Sequence, residues 1–274
     1  MGTVRIALLN REGSPARKAM EHRVLHLPRS DCRILLERQG PSLGLWRAAE
    51  VAVLREQRFA PPVLDLGCGD GLVTSLVLRR VDYGVDPSIA ALARADALGL
   101  YGELIARPVE HAGIAPGSIG TVLSNSVLEH LPDPALVLRA VARLLRSGGR
   151  LVFTTPSEGF SPSLGLPFDA YRRWRNRTYG HLNLWSPERW RSELDRAGLS
   201  VEYVRAYLRP SLVRLWDLID LPQQLRLRHA APFGALWRRL PAAALEYLAA
   251  RLSACDLAAP PPGGGQLIVA CKAA

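Results

Sequence analysis

Short apolar runs alternate with stretches of helical spacing along most of the chain. The run Val63–Leu66 follows two prolines and is apolar at three of its four positions, which predicts a short buried strand. From Leu72 the apolar residues recur at helical spacing. Runs of the same kind predict further strands near 83–85, 104–106, 121–125, 150–155, 201–207 and 265–271. This alternation predicts an α/β fold in which helices cover both faces of a parallel sheet.

Three glycines, Gly67, Gly69 and Gly71, follow the first predicted strand directly. Glycine lets the backbone turn sharply and come close to a ligand because no Cβ stands in the way. A strand, a glycine-rich turn and a helix in this order are typical of the opening of a nucleotide-binding βαβ unit. A glycine turn alone is a moderate signal, so the neighbouring segments must decide the ligand.

An acidic residue, Asp86, ends the second predicted strand. A carboxylate at this place can accept two hydrogen bonds from the hydroxyls of a ribose held by the glycine turn. Pro87 and Ser88 then begin a predicted helix. The alternative is that Asp86 only caps this helix.

Residues 1–58 form a predicted N-terminal extension, and 59–274 form the predicted nucleotide-binding domain. The first 40 residues show weak periodicity and predict a partly helical lead-in. A helix is predicted over 43–57, with Ser42 as a candidate N-cap, and we expect it to cover the nucleotide site.

Two segments interrupt the regular alternation. The long connection 157–185 carries several aromatic residues among arginines, and we interpret it as a lid over a substrate. Its run Arg172–Arg177 either recognises a phosphate or carboxylate or forms a solvated helix face. The insertion 209–259 carries apolar helical faces with arginines between them, which favours packing against the fold or another chain and leaves peripheral membrane contact open.

The net charge of +10 comes almost entirely from arginine, because lysine occurs only at Lys18 and Lys272. The arginines are spread along the chain, so nucleic-acid binding is not favoured. The four cysteines lack the spacing of a zinc site or a disulfide framework. No apolar stretch has the length of a membrane-spanning helix, and we expect a cytoplasmic protein with peripheral membrane contact left open.

Beyond these patterns, the chain resembles the class I S-adenosylmethionine (SAM)-dependent methyltransferases, and more narrowly the group that includes the ubiquinone and menaquinone biosynthesis methyltransferases. Four segments carry the resemblance and a fifth fits it more loosely: Val63–Gly71, Tyr83–Ser88, Ser124–Leu131, Leu144–Pro156 and Gly180–Ser186. The resemblance implies a seven-stranded, mostly parallel, Rossmann-like doubly wound sheet with an antiparallel last strand.

The resemblance also implies a set of SAM-binding residues. They are Asp65, Gly67, Cys68, Gly69, Asp86, Pro87, Val109, Glu110 and Asn125. Asp65 would orient the loop and its contacts to the cofactor's ammonium group, Asp86 would bind the ribose, and Asn125 would face the methyl-donor end. Val109 and Glu110 would flank the adenine.

Two positions depart from the family pattern. Many members carry an aspartate where this chain has Pro108, and another where it has Gly120. The adenine amine therefore needs a different acceptor, for which Glu110 or a backbone carbonyl is the candidate.

The predicted reaction is methyl transfer to a hydroxyl of a small-molecule or lipid-linked acceptor, for which a histidine can serve as the base. His130 and His181 are the candidates, since both follow strand ends where α/β sheets place ligands. His130 could instead only orient a helix start. No metal site is predicted, because these histidines lack further ligands at suitable spacing.

Two other functions remain open at this stage. One is an NAD-linked oxidoreductase, although its fingerprint places the third glycine one residue later than Gly71. The other is a membrane- or partner-binding module that keeps the fold without catalysis. N- and C-methylation are also open, and the oligomeric state is not predicted.

Overall fold

In the computed structural model of the protein, the described residues are 23–224 and 232–273, so predictions for 1–22 and 225–231 lie outside them. Seven strands form one sheet: β1 (Val63–Leu66), β2 (Val81–Val85), β3 (Tyr101–Ile105), β4 (Ile119–Asn125), β5 (Leu145–Pro156), β6 (Leu199–Tyr207) and β7 (Gly265–Lys272). Their order across the sheet is β3-β2-β1-β4-β5-β7-β6.

The first five strands pair in parallel, whereas β7 runs antiparallel to both of its neighbours, β5 and β6. This confirms the predicted seven-stranded, mostly parallel sheet and its antiparallel last strand. All four residues of β1 are buried, as expected for a central strand covered on both faces. The third strand begins at Tyr101, earlier than its apolar run predicts, because it also includes Gly102 and Glu103, which are exposed and leave no apolar pattern.

Ten α-helices lie in the described part of the chain. They are α1 (Arg29–Gln39), α2 (Pro41–Arg55), α3 (Leu72–Val77), α4 (Ile89–Asp96), α5 (Pro134–Leu144), α6 (Asp169–Tyr179), α7 (Pro187–Arg196), α8 (Pro210–Gln224), α9 (Pro232–Trp237) and α10 (Ala242–Ser253). Short 3-10 helices follow β3 and β4 and lie in the predicted lid: Val109–His111, Leu128–His130 and Ser161–Ser163.

The core lies on both faces of the sheet, as the side chains of β5 illustrate. Val152 packs into a cluster that includes Trp46 of α2, while Leu151 and Phe153 pack into a second cluster with Trp190 of α7. Successive side chains of a strand point to opposite faces, so one apolar run supplies both layers.

The predicted helix over 43–57 is confirmed as α2, which begins two residues earlier at Pro41. Ser42 is not its N-cap, because that position belongs to Gly40. The Ser42 hydroxyl instead donates to Asp220 Oδ1 at 2.8 Å and ties α2 to α8.

The insertion packs mainly on the N-terminal helices. Helix α8 lies against α2, and α10 lies against α1. Glu246 of α10 also pairs with Arg29 Nη2 at 2.6 Å. The N-terminal extension and the insertion therefore form a joint helical layer against one face of the sheet.

Candidate active site

The glycine loop after β1 approaches its surroundings closely on one side and is open on the other. Gly67, Gly69 and Gly71 have φ values of 69°, 55° and 74°, which disfavour residues with a Cβ. A Cβ on Gly67 would lie 2.4 Å from Val127 Cγ2, whereas one on Gly69 would meet no atom within 4 Å. The loop backbone is therefore accessible to a ligand at Gly69.

Asp86 faces this loop from the end of β2. Its Oδ2 accepts the Gly69 N–H at 3.0 Å, and its Oδ1 accepts the Ser88 N–H at 2.8 Å. Ser88 itself caps α4 by accepting the Ala91 N–H. Asp86 is therefore not the helix cap, and the structure places its carboxylate beside the open side of the glycine loop.

Asp65 lies beneath the loop and is buried. Its Oδ2 accepts a hydrogen bond from the Tyr101 hydroxyl at 2.7 Å. Burial raises the pKa of Asp65 to about 6, and hydrogen bonds from Thr74 and Tyr101 limit the shift. The predicted contact with the cofactor's ammonium group stays a prediction, since one carboxylate oxygen is already engaged by Tyr101.

The other predicted cofactor residues line the same edge of the sheet. Val109 is buried in the 3-10 helix after β3, and Glu110 beside it is half-buried. Cys68 is buried in the glycine loop, and burial raises the pKa of its thiol. At the end of β4, Asn125 Oδ1 accepts the Thr154 hydroxyl at 2.8 Å. Pro87 is exposed after Asp86.

Gly120 lies away from this edge. It stands near the start of β4, while the ligand-facing end of that strand is Asn125. Five residues of strand separate the two positions by roughly 16 Å. A Cβ on Gly120 would lie 2.5 Å from the carbonyl oxygen of Ala60, so this site has no room for a side chain. The expected link between Gly120 and the adenine is wrong, and its departure from the family pattern reflects local packing.

A small, partly open cavity of about 60 Å³ lies next to the end of β4. Helix α2, the ends of β4 and β5, the lid and α8 all contribute to its wall. The lining residues are Leu43, Trp46, Arg47, Ser126, Glu129, His130, Pro156, Phe160, Tyr179, His181 and Trp216. Aromatic rings form much of this wall, with Trp46 and Phe160 packed edge-to-face at 5.5 Å between ring centroids.

Both predicted histidines border this cavity. Their rings stack with centroids 5.5 Å apart, and His130 Nδ1 lies 3.1 Å from the carbonyl oxygen of Gly180 in the lid. His181 also packs edge-to-face on Phe160, with centroids 5.1 Å apart. Burial, and then the nearby His130 and Arg175, lower the pKa of His181 to about 3. His181 is therefore a neutral hydrogen-bonding group at physiological pH.

Two buried glutamates near the cavity have no counterpart in the sequence-based predictions. Glu50 of α2 accepts the Trp46 indole N–H at 2.8 Å and Arg47 Nη1 at 2.6 Å, and the Ser126 hydroxyl donates to it. Glu129 lies in the 3-10 helix after β4 and is 1 % exposed. A charged residue inside the apolar helix that ends at Arg55 was the available signal for Glu50.

The segment 157–185, for which a lid remains a prediction, is anchored by a buried arginine. Arg175 Nε lies 2.7 Å from Asp217 Oδ1, and its Nη2 lies 2.8 Å from Asp220 Oδ2, with all three side chains buried. Tyr171 also donates to Asp217 Oδ2 at 2.7 Å. Arg175 therefore ties the lid to α8, and it is neither part of a solvated face nor available to an acceptor anion.

No group of three or more His, Cys, Asp or Glu side chains among residues 23–224 and 232–273 is arranged to hold a metal ion. Over the same residues, no helix is both long and apolar enough to cross a membrane.

A seven-stranded sheet with an antiparallel β7, a glycine loop after β1 and an acidic residue after β2 defines a Rossmann-like methyltransferase. Residues 34–204 match the methyltransferase domain family, and the chain belongs to this family. SAM is the methyl donor of the class. The open side of Gly69 and the carboxylate of Asp86 beside it fit a ligand of this kind.

The matched curated relatives include a ubiquinone biosynthesis O-methyltransferase of Aeromonas salmonicida, which is 38% identical over 106 residues. That match covers 35% of this chain and 44% of the relative, so the chain spans less than half the length of the curated relatives it matches.

Solved structures share the fold. A SAM-dependent methyltransferase of Thermotoga maritima has a TM-score of 0.55 at 14% identity, over 88% of this chain and 99% of the other. A phosphoethanolamine N-methyltransferase of Haemonchus contortus, solved with S-adenosylhomocysteine, has a TM-score of 0.53 at 16% identity, over 89% of this chain and 60% of the other. Family membership favours methyl transfer over the NAD-linked and non-catalytic alternatives.

Proposed function

We propose that the protein transfers the methyl group of SAM to a hydroxyl of a small-molecule or lipid-linked acceptor bound in the aromatic cavity. The observation that carries this proposal is the short segment after β4. Val127 packs against Gly67 of the glycine loop, while its neighbour Ser126 lines the cavity. A ligand on the loop and an acceptor in the cavity would therefore meet across two consecutive residues.

Oxygen is the favoured nucleophile because the curated relatives are named as O-methyltransferases. A cavity wall of aromatic rings that also carries Glu129 and two histidines suits a planar acceptor with a polar group. The cavity of about 60 Å³ has room for only a few water molecules, so the lid or α2 must move to admit an acceptor.

On the cofactor side, the proposed roles follow from placement. Asp86 binds the ribose hydroxyls, and Gly67, Cys68 and Gly69 supply the backbone that faces the methionine part. Pro87 and the pair Val109 and Glu110 flank the adenosine. Asp65 holds the loop from below, and Asn125 faces the methyl-donor end.

The bound cofactor supplies an electrophilic methyl group on a sulfonium. The chain's own contribution is to hold the acceptor oxygen in line with that methyl group and to exclude water. His181 and His130 are proposed to orient the acceptor hydroxyl from the lid side, since both border the cavity.

Calorimetry with SAM, S-adenosylhomocysteine and NAD tests the cofactor. We expect both sulfur compounds to bind and NAD not to bind, and binding of NAD alone would contradict the proposal. Asp86→Ala should weaken S-adenosylhomocysteine binding about tenfold or more, since it removes hydrogen bonds to a charged acceptor. Labelled SAM with a panel of phenols, catechols, amines and thiols, read by mass spectrometry, then identifies the accepting atom.

We also propose peripheral membrane contact through the insertion. Leu215 and Leu218 of α8 and Leu236 of α9 are exposed, and the exposed Arg214 and Arg238 lie near them in sequence. Exposed apolar side chains among cations favour binding to an anionic surface. Flotation with anionic and with neutral liposomes tests this, and absence of the protein from the anionic fraction would exclude it.

A further inference from the structure

Glu129 is a buried carboxyl group without a partner in the folded chain. It is 1 % exposed, and neither of its oxygens accepts a hydrogen bond from residues 23–224 or 232–273. Buried polar groups are almost always hydrogen-bonded, because burial without a partner is costly. Since Glu129 lines the cavity, a ligand with a hydrogen-bond donor is the natural partner for it.

The groups around Glu129 leave it free for such a donor, because the nearby Ser126 hydroxyl donates to Glu50 instead. The titratable or charged side chains around it come from α2, β6, the lid and its own helix: Arg47, Glu50, Tyr207, Tyr179, His181 and His130. Arg47 Nη1 is bound to Glu50 at 2.6 Å. His130 Nε2 lies 3.7 Å from Glu129 Oε1, beyond hydrogen-bond distance.

The neighbouring groups are poorer proton acceptors. Glu50 already receives donors from Trp46, Arg47 and Ser126. Burial lowers the pKa of His181 to about 3, so it holds a proton weakly. Burial, helped by the negative Glu50, raises the pKa of Glu129 to about 8, where a carboxylate holds a proton well.

We propose that Glu129 is the catalytic base that takes the proton of the acceptor hydroxyl. The inference rests on the proposed O-methylation. As the acceptor oxygen bonds to the methyl carbon, the bond from that carbon to sulfur breaks and its electron pair stays on sulfur. The acceptor O–H breaks, and its proton passes to a Glu129 oxygen. The products are the methyl ether, neutral S-adenosylhomocysteine and protonated Glu129.

The pH dependence distinguishes this assignment from a histidine base. Glu129 must be deprotonated before it can act, so turnover should rise through a pKa near 8. A base with the pKa of His181 would give turnover that is flat from pH 5 upward. Ionisation of the acceptor hydroxyl itself would also make turnover rise with pH, but that rise would remain in every Glu129 variant.

The test compares Glu129→Gln, Glu129→Asp and the control Glu158→Gln, which removes an exposed carboxylate outside the cavity. Turnover is measured from pH 5.5 to 9.5 with the hydroxyl acceptor found in the panel. Glu129→Gln should lower kcat by about 10² or more and abolish the limb near pH 8, whereas Glu158→Gln should match the native protein. Calorimetry with S-adenosylhomocysteine should show unchanged cofactor binding, which excludes misfolding.

Glu129→Asp should retain more turnover than Glu129→Gln, because it keeps a carboxylate. A Glu129→Gln variant that keeps kcat within about threefold, or keeps the limb, would overturn the proposal. If the native protein methylates no hydroxyl in the panel, the proposed O-methylation fails separately. Carbon-13 NMR of labelled glutamate gives a second readout that does not depend on turnover: a Glu129 carboxyl that titrates below about pH 6 overturns the inference, and one that titrates above it has the ionisation that a base here requires.

Discussion

The cofactor side and the acceptor side of this protein are built in different ways. On the cofactor side, consecutive strand ends bring Gly67, Gly69 and Asp86 together, and the main chain makes much of the surface. The acceptor side is formed by segments that lie far apart in the sequence and contact each other only in the folded protein: α2, the 3-10 helix after β4, the lid and α8. Buried charged side chains hold these segments together, including Arg175 with its two aspartates.

This difference predicts which substitutions matter on each side. Where the main chain forms the site, a change acts through backbone conformation and contact distance. Where buried charges join distant segments, removal of one partner leaves the other charge buried alone, which is costly. The largest losses of stability should therefore come from the acceptor side.

Arg175→Met should give the largest effect. It leaves Asp217 and Asp220 buried without their cation, and breaking a buried pair in this way costs about 3–5 kcal/mol. Urea denaturation measures the free energy of unfolding. The variant that remains folded should still bind S-adenosylhomocysteine with native affinity, because Arg175 contacts the lid and α8.

The matched control for this change is Arg173→Met on the exposed face of the same helix. Its free energy of unfolding should stay within about 0.5 kcal/mol of the native value. Equal losses from both substitutions would show that helix α6 tolerates neither change and that the buried pairs are not the cause.

Glu129→Gln should change the pH dependence of stability. The carboxyl group has a pKa of about 8 when folded and about 4.5 otherwise, so between these values the folded protein retains a proton that the unfolded chain releases. The free energy of unfolding of the native protein therefore falls as pH rises through this window, by about 1.4 kcal/mol per unit at most. Glutamine removes that loss.

The difference in free energy of unfolding between the variant and the native protein should thus grow in favour of the variant by roughly 2–4 kcal/mol as the pH rises from 5 to 8. Urea denaturation at the two pH values measures the difference, with Glu158→Gln as the exposed control. A constant difference between pH 5 and pH 8 would mean that Glu129 ionises normally in the folded protein.

The same contrast explains what the sequence could predict. The glycine loop, Asp86 and the strands around them lie in short local patterns, and the structure places them together as predicted. The last strand's direction came from the family resemblance, since an antiparallel β7 leaves no local pattern of its own. Asp65 was predicted to contact the ligand, but its burial and its bond to Tyr101 depend on β3.

The acceptor side was predicted only in outline. The lid and the two histidines were expected there, and both histidines border the cavity. The partners of Arg175 were not found, because Asp217 and Asp220 lie more than forty residues further along the chain. Glu50 and Glu129 were missed for a related reason: a charged residue in an apolar segment does not reveal whether it is buried or which groups surround it.

Gly67→Ala should lower stability less than Arg175→Met does. Its comparison with Gly69→Ala distinguishes the cost of a close contact from the cost of backbone strain on the cofactor side. A left-handed φ costs an alanine roughly 1–2 kcal/mol, and the new Cβ would also meet Val127 at 2.4 Å. Gly69→Ala carries the backbone cost alone, because its Cβ meets nothing. Urea denaturation should therefore show the greater loss for Gly67→Ala.

Cofactor affinity should show the reverse order. A methyl group on Gly69 fills the open side of the loop. Calorimetry should therefore find that Gly69→Ala binds S-adenosylhomocysteine more weakly than Gly67→Ala does, although Gly69→Ala loses less stability. Adding Val127→Ala to Gly67→Ala should restore part of the lost stability. If it restores none, the cost lies in the backbone and the contact is unimportant.

Tyr101→Phe should have the smallest effect and should depend on pH. The substitution removes the hydroxyl that donates to Asp65 Oδ2 at 2.7 Å, which costs about 1.5 kcal/mol when the carboxylate is charged, because Thr74 still donates to Asp65. The pKa of Asp65 is about 6, so the group is charged at pH 8 and protonated at pH 5. Because a hydrogen bond to the charged form is the stronger one, the variant should lose more stability at pH 8 than at pH 5.

Urea denaturation at both pH values measures this loss, with Tyr247→Phe as a control because that side chain is 65 % exposed. Without the Tyr101 hydroxyl, the pKa of Asp65 should rise further, since that bond favours the charged form. Suppose that S-adenosylhomocysteine binding requires a charged Asp65. As the pH is lowered, the affinity of the variant for S-adenosylhomocysteine should then begin to fall at a higher pH than the affinity of the native protein. Identical pH profiles of S-adenosylhomocysteine affinity would show that Asp65 supports the loop and that its charge is not needed for binding.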